Sequence, residues 1–149
     1  MKVDLLRSIY LFKEMTDAEL LTIAKAGSEK NFISGQELFF SGQKSDAMYV
    51  VMSGMIRIFK STDNADEIAL STIAAGEHFG EMGFLTRDPR TATAQIIETS
   101  DVFELNYENL ESVLKSEIII SEKFYRALAR FLAQRLKSTT QELLSAKEK

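Results

Sequence analysis

Every residue that frees or fixes the backbone lies in one window of the chain. The seven glycines (Gly27, Gly35, Gly42, Gly54, Gly76, Gly80, Gly83) and the sole proline, Pro89, all fall between positions 27 and 89. Helix interiors tolerate these residues poorly, while tight turns between strands call for them. The window therefore predicts a turn-rich β middle with helical ends. Of the 149 residues, 45% are hydrophobic and 27% charged, which is the balance of one globular domain and not of a disordered chain.

The counts exclude several function classes. With no cysteine and a single histidine, His78, disulfides, thiolate metal sites and a histidine-cluster metal site are ruled out. The same lack of histidines removes a metal-dependent jelly-roll enzyme, and no serine–histidine–acid set stands out; His78 is expected in a loop. A formal net charge of −4 argues against binding nucleic acid mainly through its phosphates. No apolar run approaches the ~20 residues that cross a membrane, and the start lacks a signal-peptide pattern. A non-enzymatic cytoplasmic protein with no membrane partner is the expectation.

Residues 4–26 read as one or two short helices, with Thr16 and Glu19 spaced as a capping box. Short runs rich in β-branched and aromatic residues follow at 31–33, 37–40, 47–52, 55–60 and 67–73, then 91–97 and 101–105. Ser34-Gly35, Ser41-Gly42, Ser53-Gly54 and residues 62–66 separate the first five, as in an antiparallel sandwich or barrel. Ser53-Gly54 is placed to turn a hairpin across 47–60. After Asn106, a plausible helix cap, residues 107–114 read as a short amphipathic helix. A run without Gly or Pro then continues from Ser116 or Ser121 to about Leu144, with Phe124, Tyr125, Leu128, Phe131, Leu132, Leu136 and Leu143 on one stripe. So long a helix either packs its distal part on a partner, most simply a second copy, or frays as a solvated tail.

The chemistry concentrates in residues 79–94, Phe-Gly-Glu-Met-Gly-Phe-Leu-Thr-Arg-Asp-Pro-Arg-Thr-Ala-Thr-Ala. Two close glycines allow a tight turn with bared N–H groups, an arrangement that cradles anions. Arg90, introduced by Pro89, opens a strand from which its fork of donors can meet a phosphate. Glu81 beside an anion is repulsive unless the ligand also offers a hydroxyl, as a nucleotide ribose does. The other reading is a Glu81–Arg90 salt bridge that merely holds a loop.

This stretch resembles the phosphate-binding cassette of the cyclic nucleotide-binding domain family, through Phe79-Gly80-Glu81 and Pro89-Arg90-Thr91-Ala92-Thr93. Residues 32–37 and 39–42 match the family's paired glycine turns, and 48–54 its hairpin. The resemblance covers nearly the whole chain. It implies an α+β, mainly β fold: an antiparallel eight-stranded jelly roll over 30–106, N-terminal helices over 1–29 and C-terminal helices over 107–149. It implies that Glu81 accepts the ribose 2′-hydroxyl and Arg90 neutralises the cyclic phosphate. Backbone N–H groups around Gly80, Met82, Thr91 and Ala92 would add hydrogen bonds, with Val51 and Phe79 packing nearby. No cofactor is implied beyond the ligand itself.

Residues 132–140 resemble the dimer helix of the catabolite activators in this family. That match places Thr139 and Thr140 at adenine-contacting positions, unless they are only small polar residues on a helix seam. Thr91, directly after Arg90, can bond a guanine amino group, which keeps cyclic GMP as the alternative ligand; cyclic AMP is the first choice, partly because of Thr139 and Thr140. The expectation is a sensor domain that relays binding through a C-terminal homodimer helix to an unknown effector. It carries no helix-turn-helix output domain and binds no DNA directly. The alternatives are a degenerate jelly-roll scaffold for protein interaction, or the sensor half of a catabolite-activator-like regulator.

Overall fold

The computed structural model describes residues 2–148. Helix α1 (Lys2–Arg7), a 3-10 turn (Tyr10–Phe12) and α2 (Asp17–Ala26) open the chain. The capping box at α2 forms as its spacing predicts: Glu19 N–H donates to Thr16 Oγ1 at 3.3 Å, and Thr16 N–H to Glu19 Oε1 at 2.8 Å. Six strands follow: β1 (Ser28–Phe32), β2 (Glu37–Phe39), β3 (Ala47–Ser61), β4 (Glu67–Ala74), β5 (His78–Phe79) and β6 (Thr93–Asn106). Helix α3 (Met82–Thr86) sits between β5 and β6, and α4 (Tyr107–Ser116) and α5 (Ile118–Lys147) close the chain.

All pairings are antiparallel. The strands run in the order β1-β6-β3-β4, with β2 also on β6 and β5 also on β3. The expected class therefore stands, mainly antiparallel sheet with flanking helices and a long last one. The strand count differs because neighbouring predicted strands fuse. Runs 47–52 and 55–60 form one strand, β3, and runs 91–97, from Thr93 on, and 101–105 lie along β6.

The expected hairpin at Ser53-Gly54 does not form. Both halves of β3 pair with β6 instead, and the register slips between Val51 and Ser53 and again between Ser53 and Met55. Gly54 absorbs this bulge at φ +95°, where a Cβ would overlap Ser100 Oγ and the Thr99 carbonyl. The glycine signals a bend within a long strand and not a reversal.

Residues 47–51 of β3 and 102–105 of β6 are largely buried on both faces, and their alternation sorts the core in two. On β3, Met48 and Val50 face the helices, while Ala47, Tyr49 and Val51 face the interior of the roll. On β6, Phe103 and Leu105 join the helical layer, and Val102 joins the roll. The helical layer also takes Leu11, Phe12, Leu20, Ile23, Leu110 and Phe124, with Phe12 and Phe124 stacked 6.5 Å apart. Only the first part of α5 is covered, through Ile120, Phe124, Ala127 and Leu128. Leu136, Leu143 and Leu144 farther along are exposed.

Candidate functional site

Strand β5 carries the site into the roll. It pairs with β3 at His78–Val50 and Phe79–Tyr49, so His78 is a buried strand residue and not the loop residue expected from sequence. The chain then turns at Gly80, φ +85°. A Cβ there would lie 3.0 Å from the Ala47 carbonyl and 3.1 Å from Arg90 Nη1, so this close approach requires glycine. The Tyr107 hydroxyl donates to the Gly80 carbonyl, tying the turn to the start of α4. Burial raises the Tyr107 pKa, opposed by Arg90, and keeps the phenol a donor.

Arg90 enters the same space from the other side. Its backbone is clamped by the β2–β3 loop: its N–H donates to Gln43 O at 2.7 Å, and its carbonyl accepts from Gly42 N–H at 2.8 Å. The guanidinium is buried, with its carbon 4.0 Å from the centroid of the Phe39 ring. Nη2 donates to the Ala47 carbonyl at 2.7 Å and lies 3.7 Å from Oδ1 of the exposed Asp46. Glu81, 2% exposed, faces His78 instead, with Oε1 2.5 Å from Nδ1. Arg90 and Glu81 are thus engaged with other groups, and the loop-holding salt bridge between them is not formed.

These groups line a cavity of about 310 Å³. Phe39, Ile58, Ile73 and Phe79 form its apolar walls, and Gly80 to Gly83 and Asp88 to Ala92 its polar rim. Buried polar atoms in folded proteins nearly always have partners. Among the described residues, the unpartnered ones are Thr62 Oγ1, His78 Nδ1 and Nε2, Glu81 Oε1 and Arg90 Nε. Four of these five belong to Glu81, Arg90 and the histidine against Glu81. The cavity offers a cation, a carboxylate and unspent hydrogen-bonding capacity in a largely apolar pocket, which suits a ligand that is anionic at one end and hydroxylated nearby.

Of the residues singled out in the sequence, Phe79, Gly80, Glu81, Met82, Arg90, Thr91 and Ala92 line this cavity. Val51 is fully buried in the layer with Tyr49 and Phe79. Thr139 and Thr140 are exposed on α5 and outside the lining. Helix α5 instead contributes Arg135, whose guanidinium lies 5.3 Å from the centroid of the Phe131 ring. Arg135 precedes Thr139 by four residues and so shares its helix face, a spacing that could have pointed to it. Tyr107, Ser45 and Ile58 carried no such signal, because only the fold brings them here.

The family model described as "Cyclic nucleotide-binding domain" matches residues 29–117. The chain is 30% identical over 109 residues to the cyclic AMP receptor protein of Thermus thermophilus, an overlap covering 73% of this chain and 49% of that protein. Among solved structures, the N-terminal domain of a transcriptional regulator from Streptomyces coelicolor superposes with a TM-score of 0.80 at 26% identity, over 89% of this chain and 94% of that one. The regulatory domain of Toxoplasma gondii PKA, crystallised with cAMP, superposes with a TM-score of 0.69 at 27% identity, over 75% of this chain and 42% of that one. The chain spans about half or less of the length of the curated relatives it matches.

Proposed function

The chain belongs to the cyclic nucleotide-binding domain family, and from that premise we propose that it is a cyclic nucleotide sensor, with cyclic AMP as its first ligand and cyclic GMP as the alternative. The observation that carries the reading is the pair of buried, incompletely partnered groups on one cavity, Arg90 and Glu81. In this reading Arg90 gives up part of its hold on Ala47 to meet the cyclic phosphate with charge-assisted hydrogen bonds. Glu81 accepts the ribose 2′-hydroxyl. The N–H groups of Gly80, Met82, Thr91 and Ala92 complete the phosphate cradle.

The base extends toward α5, where Arg135 lines the cavity. Binding is relayed through this helix, because its first half packs on the core while Leu136, Leu143 and Leu144 stay exposed. Those leucines support a homodimer through α5, whose geometry shifts only as far as the ligand prefers one state of the helix over another. The role is regulatory and not catalytic, it is exercised in the cytoplasm, and the effector downstream is a protein. No described helix is long and apolar enough to cross a membrane.

Calorimetric titration with cyclic AMP and cyclic GMP tests the reading, with Arg90→Ala alongside. The wild type is expected to bind at least one nucleotide. The variant should fold and lose roughly 1.5–3 kcal/mol per charge-assisted bond removed. A wild type that binds neither nucleotide, or a variant that binds as well, refutes the proposal.

A further inference from the structure

Glu81 is held almost out of water, and the imidazole of His78 lies directly against it. The two side chains are each 3% exposed, with Nδ1 and Oε1 2.5 Å apart. Neither atom completes a directed hydrogen bond, and His78 Nε2 is also without a partner. A buried carboxylate left in this state is costly. A carboxylate accepts several hydrogen bonds across its two oxygens. One oxygen set against Nδ1 leaves the other to a hydroxyl donor in the cavity.

His78 is itself fixed from behind. Its ring packs at 4.5 Å and 54° on Phe131 of α5, and Phe131 carries the Arg135 guanidinium on its own ring. From β3, Val50 pairs with the His78 backbone. The imidazole therefore sits between the cavity carboxylate and the helix that contributes to the cavity rim.

We propose that His78 is the positioning residue for Glu81: it sets the carboxylate to accept the 2′-hydroxyl of a ribonucleotide ligand, and so determines selection for ribose over deoxyribose. The inference rests on the nucleotide-sensing role proposed above and adds the residue that makes Glu81 selective. Two substitutions separate positioning from plain packing. His78→Phe keeps the ring against Phe131 and removes the Nδ1 donor. His78→Asn keeps a donor near the Nδ1 position and removes the ring.

The experiment titrates the full chain, wild type and both variants, with cyclic AMP and with 2′-deoxy cyclic AMP, and follows folding by circular dichroism. The wild type is expected to prefer cyclic AMP by about tenfold or more, the scale of a hydrogen bond to a charged acceptor. His78→Phe should lose most of that preference while binding the deoxy compound as the wild type does. His78→Asn should keep the preference even though it melts earlier. A preference that survives in His78→Phe, or disappears only in His78→Asn, overturns the proposal. A wild type that binds both compounds equally also overturns it while leaving the sensor reading intact. Binding of neither compound, nor of cyclic GMP, instead removes the sensor reading itself.

Discussion

Lys123 Nζ donates to Glu19 Oε1 at 2.7 Å, joining α5 to the cap of α2 across 104 residues of sequence. The same carboxylate accepts from the Thr16 N–H. The Lys123 hydrogen bond first, and the Thr16 backbone next, hold the Glu19 pKa below its ordinary value. A depressed folded pKa stabilises fully above the ordinary glutamate value of about 4.3, and that contribution is lost as pH falls through the folded value. Glu19→Gln should therefore cost about 1 kcal/mol at pH 7, and the gap to wild type should shrink as pH approaches 3. Urea unfolding at the two pH values measures it, and a gap that does not change with pH would contradict the assignment.

Gly54 and Gly35 both adopt positive φ, +95° and +93°, yet their surroundings differ. A Cβ on Gly54 would overlap Ser100 and Thr99, while one on Gly35 meets nothing within 4 Å. Gly35→Ala should cost only the left-handed backbone penalty of roughly 1–2 kcal/mol. Gly54→Ala should cost about 3 kcal/mol or more, because steric overlap adds to that penalty. Chemical denaturation of the two variants side by side gives the comparison, and equal losses would mean that the bulge relaxes.

Tyr107 acts on the cavity at one remove, through the Gly80 carbonyl. Removing its hydroxyl in Tyr107→Phe should reduce stability by about 1 kcal/mol. If the Gly80 turn sets the cradle, affinity for cyclic nucleotide should also fall several-fold. Thermal melts with and without ligand separate the two effects, and an unchanged affinity would confine Tyr107 to folding.

Two sets of residues on α5 are candidates to contact the base in the proposed complex. Arg135 lines the cavity, while Thr139 and Thr140 are exposed and outside its lining. Arg135→Ala should weaken nucleotide binding several-fold without altering the melting temperature of the unliganded protein. The double variant Thr139→Ala, Thr140→Ala should bind as wild type in a monomer. A loss in the double variant that appears only at concentrations where the protein associates would assign the threonines to a partner's cavity.

The exposed leucines of distal α5 predict concentration-dependent association. If α5 pairs two copies as proposed, Leu143→Lys should shift the equilibrium toward monomer in sedimentation equilibrium, leaving secondary structure unchanged. A wild type that stays monomeric across the measured range would remove the dimer from the mechanism.

Much of the fold was legible because local rules govern it. Thr16 and Glu19 announced the start of α2, and Asn106 the start of α4, where its side chain accepts from Asn109 N–H at 2.7 Å. The period of three and four from Phe124 through Leu136 announced α5. The candidate site was legible for a related reason: Gly80, Glu81, Pro89 and Arg90 lie within eleven residues of one another. What misled was Ser53-Gly54. A glycine at positive φ looks the same in sequence whether it reverses a strand or bends one, and the partner across the ladder, here β6, decides which.

The sequence by itself determined the division into helical ends and a strand-rich middle, and the clustering of Gly80, Glu81 and Arg90 at the end of that middle. The division follows from backbone freedom and side-chain periodicity, which act over a few residues. Only the tertiary structure decided that Arg90 is spoken for by Ala47, 43 residues away. It likewise decided that α5 offers the cavity Arg135. These pairings are set by how β3, β5, β6 and α5 pack together. The energy that selects them comes from burying polar groups against distant parts of the chain, on which local sequence has no purchase.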